Sequence, residues 1–123
     1  MGERQRLIME PAVRDLLARS GGDAICTITT TNLAGEEVWV QVIEGGSLNT
    51  LYPPEDDPAK RLGTLGVFGT LKVPLIEWEA GNFATFDVLG IASWDVAFVV
   101  DQLFVRLLKC DDAGYQPASL LEE

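Results

Sequence analysis

The sequence predicts an α+β domain in which an antiparallel sheet is backed by a long C-terminal helix. Residues 24–52 contain two short β-branched runs and a third, shorter run, separated by glycine-bearing turns, which is typical of a strand meander. Residues 92–110 instead repeat apolar side chains at the spacing of a helix. The chain of 123 residues is long enough for one ordinary core, so we expect a single domain over residues 1–123.

The expected order begins with a helix and three strands. A helix is predicted over residues 11–20, because proline suits the first helical position and the glycine pair that follows stops the helix. Residues 24–31 and 37–43 predict a hairpin, and residues 48–52 predict a third strand after a two-glycine turn.

A short helix, two strands and the long helix complete the predicted order. The short helix is predicted over residues 58–62. Residues 66–79 predict one strand followed by a loop, since a proline inside a strand pattern marks an edge position or a break. Residues 82–89 alternate in polarity and predict the last strand. The sequence does not predict whether residues 1–10 and 111–123 are structurally ordered.

The long helix carries more apolar surface than one sheet can cover. On a helical wheel one narrow polar strip is formed by Asp95, Gln102, Arg106 and Lys109, and about two-thirds of the circumference is apolar. A second cover must come from another helix of the same chain, a twin subunit or a client peptide. We predict the twin subunit, because a two-fold axis lets one apolar patch cover itself. The residues predicted at that homodimer interface, or at a groove for a client, are Trp94, Ala97, Asp101, Phe104 and Leu108.

Asp101 lies inside the apolar arc of this helix, away from its other polar residues. A lone buried carboxylate is expensive, so it should be paired or hydrated. One interpretation of Asp101 is a contact with a subunit or client, and a second is a role as a functional acid. A third interpretation is an intrachain ion pair, for which the candidate partners are Arg14, Arg19 and Lys72.

The chain is acidic, with nineteen carboxylates against nine cations and a formal net charge of −10. Four arginines offset three carboxylates within residues 1–20, so the remainder carries −11. Such a surface repels nucleic acid and anionic lipid and suits basic or apolar partners. No apolar run is long enough to span a bilayer. We therefore expect neither nucleic acid nor a membrane as a partner.

Catalytic chemistry is not predicted. The chain has no histidine, which removes the usual general base near neutral pH and the usual zinc ligand. It also lacks the G-x-S-x-G motif of a serine nucleophile. The acidic run at residues 55–57 matches no calcium loop and predicts a solvated loop. We expect no catalytic residue, no cofactor and no metal.

Cys26 and Cys110 are isolated thiols, and they predict structural burial because free cysteine is among the most buried residue types. With no apolar leader at the amino terminus, the expected compartment is the reducing cytoplasm. Core packing is also expected for at least two of the three tryptophans, which are Trp39, Trp78 and Trp94.

The order of elements resembles the type III secretion chaperone-like fold, including the YbjN-type proteins. The resemblance rests on residues 12–17, 25–52, 83–88 and 96–108. It implies a small acidic dimer that holds an extended partner segment on its surface and performs no chemistry.

The function expected from the sequence is that of a non-catalytic, chaperone-like module that binds a protein or peptide as a small homodimer. A structural subunit of a larger assembly is one alternative. A small-ligand carrier or enzyme with a carboxylate-lined pocket is the other. A closed apolar pocket would favour the carrier, whereas an exposed groove beside a strand edge would favour the peptide binder.

Overall fold

The computed structural model describes residues 3–123, which form a six-stranded antiparallel sheet with helices on one of its faces. The helices are α1 (Glu3–Leu17), α2 (Pro58–Leu65) and α3 (Ser93–Gln102), and a π-helical turn (Leu103–Leu107) continues α3. The strands are β1 (Ile25–Thr31), β2 (Glu37–Ile43), β3 (Ser47–Leu51), β4 (Leu75–Glu79), β5 (Phe83–Asp87) and β6 (Ala118–Glu122). They lie in the order β4-β5-β3-β2-β1-β6. The predicted α+β class is confirmed.

The meander of β1, β2 and β3, together with β5, follows the predicted alternation. Every second side chain of these strands is buried, and the buried set forms one core with the inner faces of α1 and α3. Gly45 and Gly46 make the reversal between β2 and β3, with φ values of 99° and 96° that side chains rarely adopt. The sequence therefore determines these strands through both their polarity pattern and their turns.

The first helix is longer than the prediction for residues 11–20. It begins at Glu3 and contains Pro11, which removes one backbone donor and sets its ring against the carbonyl of Leu7. Pro11 and Leu7 are both exposed, so water can bond to that carbonyl. The longer helix has a longer apolar stripe to bury. Its buried residues are Gln5, Met9, Val13 and Leu16.

The prediction for residues 66–79 is wrong in its order, because the loop precedes the strand. Residues 66–70 form turns, beginning with Gly66, which ends α2 in the left-handed region at a φ of 71°. Pro74 closes this loop, and its carbonyl accepts a hydrogen bond from the backbone of Asp87 at 2.9 Å. β4 follows and forms one edge of the sheet.

Part of the C-terminal segment forms a sixth strand that was not predicted. β6 pairs with β1, from Ala118 opposite Thr29 to Glu122 opposite Ile25. All five residues of β6 are exposed, so the strand is held by backbone pairing more than by burial. Tyr115 precedes it and is buried. The segment is thus anchored to the core just before it joins the sheet.

The long helix predicted over residues 92–110 changes character near its end. The regular part stops at Gln102, and the amide of Leu108 donates to the carbonyl of Leu103 at 2.9 Å, which is the wider π-helical spacing. Lys109 follows with a φ of 65°. Few residues other than glycine adopt this left-handed conformation, so it strains the backbone where the helix ends.

Candidate functional site

Four of the five residues predicted at an interface lie in the core of the single chain. Ala97 and Phe104 are fully buried, and Asp101 and Leu108 are 2% exposed. These four are therefore corrected to core residues. The second cover of the long helix is α1 together with the segment before β6, and Phe104 packs on the ring of Tyr115 with centroids 5.4 Å apart. The helical wheel indicated how much apolar surface of the long helix had to be buried, but it could not show which segments bury it.

Trp94, the fifth of these residues, is 36% exposed but is partly covered within the chain. The guanidinium carbon of Arg6 lies 4.3 Å from its ring centroid and 4.9 Å from that of Phe98, within the range of a cation–π contact. Arg6 also donates from Nε to the carbonyl of Trp94 at 3.3 Å. Trp94 thus joins α3 to α1.

Asp101 is held by uncharged neighbours. Its carboxylate accepts hydrogen bonds from the hydroxyl of Tyr115 at 2.6 Å and from Nε2 of Gln102 at 3.3 Å. Burial raises the pKa of Asp101, and the bond from Tyr115 partly opposes that rise. The pair joins α3 to the segment before β6. The predicted cations, none of which bonds to this carboxylate within residues 3–123, are Arg14, Arg19 and Lys72.

The two thiols are buried, as predicted. Burial raises the pKa of Cys110 to about 11. Burial also raises the pKa of Cys26, against the lowering effect of a hydrogen bond with Ser119. Both thiols are therefore protonated near neutral pH, when only the thiolate is a good nucleophile. Across residues 3–123, no three side chains of the metal-binding types cluster as they would around a metal ion.

The acidic run at residues 55–57 has structural partners. Asp56 accepts two hydrogen bonds from Arg61, the shorter at 2.7 Å, and its carbonyl accepts from the hydroxyl of Tyr52 at 2.8 Å. Asp57 caps α2 by accepting from the amide of Ala59 at 2.9 Å. These carboxylates hold the loop before α2, which accounts for them without a ligand.

A cavity of about 340 Å³ lies where β2 begins and β3 ends. Its apolar lining would suit a small ligand, but its charges nearly cancel. Arg61 is already paired with Asp56, and Arg106 donates to the carbonyl of Leu65 at 2.7 Å. Charge of one sign is therefore not concentrated in this cavity. The charged residues that line this cavity are Glu36, Glu37, Arg61, Arg106 and Lys109.

Within residues 3–123, no layer covers the face of the sheet that is turned away from the helices. In β1, β2, β3 and β5 its residues are half-buried or exposed, whereas those on the opposite face are buried. We call it the open face. It consists of the odd-numbered residues of β1, β2, β3 and β5, the even-numbered residues of β6, and Glu77 and Glu79 of β4.

A ladder of polar side chains crosses the middle of the open face. Gln41 donates to the hydroxyl of Thr27 at 3.2 Å and accepts from Nδ2 of Asn49 at 3.1 Å. Asn49 accepts in turn from the hydroxyl of Thr85 at 3.0 Å. The ladder thus links β1, β2, β3 and β5 through uncharged groups that use one another as partners.

Apolar side chains lie on both sides of this ladder. On one side Trp39 sits opposite Thr29, and Leu51 sits opposite Phe83. On the other side Ile25 and Ile43 face each other across β1 and β2. The centre of the open face is therefore uncharged and partly apolar, which is the composition of the central part of a protein interface.

Carboxylates frame this uncharged centre. Glu122 lies opposite Ile25, Asp87 opposite Ser47, Glu77 opposite Thr85 and Glu79 opposite Phe83, so each stands at the end of a cross-strand row. Glu37 begins β2. All nine lysines and arginines lie outside the strands. The open face thus carries five negative charges and no positive one. The five carboxylates are Glu37, Glu77, Glu79, Asp87 and Glu122.

The open face was not recognised from the sequence, although signals for it were present. The charged residues of the strands are all acidic, and Trp39 lies on the polar side of an alternating strand. The expectation that two tryptophans are core residues is not met, because Trp39 is half-buried and Trp78 is 37% exposed. The sequence could not predict the number of layers, because no local sequence pattern shows which face of the sheet stays uncovered.

The search of protein-family models, curated proteins and solved structures returned no match to this chain. Within residues 3–123, every helix is too short or too polar to cross a bilayer.

Proposed function

We propose that this protein is a non-catalytic binding module whose open face takes a basic segment of a partner protein. The observation that carries the proposal is an uncharged, partly apolar centre surrounded by five carboxylates on a sheet face without helices. The resemblance to type III secretion chaperone-like proteins, which hold extended segments, is compatible with this role.

Charge selects the kind of partner. A second open face would set carboxylates against carboxylates, which disfavours pairing of two copies through this surface. A segment with lysine or arginine around apolar side chains would instead place its cations at the frame and its apolar groups over Trp39 and Phe83. Rim charges of this kind act mainly on the association rate, so binding should weaken as salt rises.

The experiment is a titration with two synthetic peptides that alternate valine and tyrosine with lysine in one and with glutamate in the other. The lysine peptide should bind and should shift the NMR signals of the Gln41 and Asn49 side-chain amides. The glutamate peptide should not bind. If the lysine peptide shifts only residues of the helices, the proposal is overturned.

A pair of matched double variants tests the carboxylate frame. Glu77→Gln with Glu79→Gln should weaken binding several-fold and reduce its salt dependence. Asp23→Asn with Glu55→Gln removes the same charge from exposed positions outside the strands and should leave binding nearly unchanged. An equal effect of both pairs would mean that only net charge matters, and the site would then lie elsewhere.

A further inference from the structure

We propose that β6 and the adjoining flank of α1 bind a second copy of this chain, with the two β6 strands paired antiparallel about a two-fold axis. This surface meets the open face along β6, whose even-numbered residues belong to both, and the inference does not depend on the function proposed for the open face.

The outer edge of β6 is bare and apolar. Leu120 is 61% exposed and Leu121 is 43% exposed, and they point to opposite faces of the sheet. The strand order ends at β6, so its outer backbone groups have no strand partner within residues 3–123. A strand of this kind is ready to pair with another strand.

The other edge of the sheet, formed by β4, is protected against pairing with another strand. β4 follows Pro74, has an irregular register between Leu75 and Glu77, and carries a second carboxylate at Glu79. Proline, bulges and charges are the usual means by which edge strands avoid pairing. β6 also follows a proline, Pro117, but its pairing with β1 has no register shift and its first four residues carry no charge.

Antiparallel pairing centred on Leu120 brings compatible residues together. Leu120 would face Leu120 of the second copy, Ser119 would face Leu121, and Ala118 would face Glu122. No two like charges would be opposed. On β4 a pairing centred on Glu77 would oppose two carboxylates, and one centred on Trp78 would set Glu77 against Glu79, which is destabilising.

α1 lies along the same side of the molecule as β6. Near its start, Nε2 of Gln5 donates to the carbonyl of Tyr115 at 3.2 Å. Just beyond its end, Arg19 forms an ion pair with Glu123 at 3.4 Å. A groove of about 440 Å³ between α1 and residues 114–117 is lined by Ile8, which is 53% exposed. The dimer surface therefore has a helix flank beside the strand edge.

This flank of α1 is self-complementary. Arg4, Ile8, Ala12 and Asp15 recur at intervals of four, four and three residues, which places them along one side of a helix. Two copies of α1 running antiparallel would bring Arg4 of each towards Asp15 of the other, with the apolar residues between them. A two-fold interface needs a patch that matches itself, and this flank has the required charge order.

Dimerisation through β6 would join the six strands of each copy into one continuous sheet. With the two-fold axis perpendicular to the sheet, both open faces point the same way. A partner with two basic segments could then bind both faces at once, which raises its overall affinity without any new contact.

The test is sedimentation equilibrium of the whole chain at high micromolar concentration. The unmodified protein should have twice the 13.4 kDa mass of one chain. Leu121→Lys should reduce the mass to that of one chain while circular dichroism shows the same folded structure. Ile76→Lys changes a comparably exposed residue of β4, on the protected edge, and should leave the dimer intact.

A charge exchange tests the helix flank. Arg4→Glu should weaken the dimer at least several-fold, and Arg4→Glu combined with Asp15→Arg should restore it. A monomeric unmodified protein would overturn the proposal. So would a dimer that survives Leu121→Lys but dissociates with Ile76→Lys, or an exchange that restores nothing.

Discussion

The carboxyl group of Asp101 is held by a phenol inside the core, and its burial makes stability depend on pH. Burial raises its pKa above the ordinary value of about 3.9. Below that ordinary value the group is protonated in both the folded and the unfolded chain. As pH rises between the ordinary and the raised pKa, the unfolded chain ionises first, so the free energy of unfolding falls. Above the raised pKa the free energy of unfolding no longer changes with the ionisation of Asp101 and stays at this lower value.

Asp101→Asn should therefore stabilise the protein at neutral pH. Asparagine keeps an oxygen that can accept from Tyr115 but carries no charge to desolvate. We expect the free energy of unfolding to rise by about 1 kcal/mol at pH 7 and to change little near pH 3. Urea unfolding at the two pH values measures the difference. Destabilisation at pH 7 alone would show that attraction from a cation such as Arg6 outweighs the cost of burial.

Lys109 gives a second prediction at the scale of one residue. Its φ of 65° strains any residue that has a Cβ atom, and glycine removes that strain. Lys109→Gly should raise the free energy of unfolding by about 1 kcal/mol. The matched control is Lys60→Gly inside α2, which should lower it by about 1 kcal/mol. Thermal unfolding of both variants tests the opposite signs, and a loss of stability in both would refute the strain argument.

At the scale of elements, the long helix depends on α1 for its second cover. If Phe104 lay at a dimer interface, as predicted from the sequence, a charge at this position would break the dimer and leave a folded monomer. The structure buries Phe104 against Tyr115 inside one chain, so the outcome should differ.

We expect Phe104→Asp to unfold the chain, because it removes a buried ring and places a carboxylate in the core. The cost should be about 4 kcal/mol or more. Leu7→Asp, at a position of α1 that is 60% exposed, is the control and should remain folded. Far-ultraviolet circular dichroism distinguishes the two. A folded, monomeric Phe104→Asp variant would return this residue to an interface.

The helices and strands that could be predicted are those whose sequence signals are local. β1, β2, β3 and β5 combine alternation with turn residues, so their positions follow from short stretches of sequence. The start of α1 was missed because Pro11 was read as a helix boundary, although an exposed proline can lie within a helix. β6 was missed because its pairing with β1 comes from the backbone and its side chains are exposed.

The candidate site depended on information of a different kind. The sequence showed that the chain is acidic but not that the strand carboxylates would surround one face. It showed that the long helix needed a second cover but not that α1 and Tyr115 would supply it. Both answers concern contacts between residues far apart in the chain, which local periodicity does not contain.

At the scale of the whole molecule, charge sets the main prediction about partners. The chain beyond residue 20 carries −11, and the open face adds no cation to which a phosphate could bind. Binding to a DNA or RNA oligonucleotide should be undetectable near 0.15 M salt. Fluorescence anisotropy with labelled oligonucleotides checks this. A salt-sensitive complex at micromolar concentration would contradict the charge argument.

The polar ladder on the open face also limits how the strands can align. A shift of one residue between neighbouring strands turns core side chains outward, so burial already rejects it. A shift of two residues keeps every side chain on its face, and burial cannot distinguish it. Such a shift of β3 along β2 would move Asn49 from Gln41 to Trp39 or Ile43, neither of which has a side-chain oxygen to accept its bond. The ladder therefore lets one alignment be favoured over others that bury the same surface.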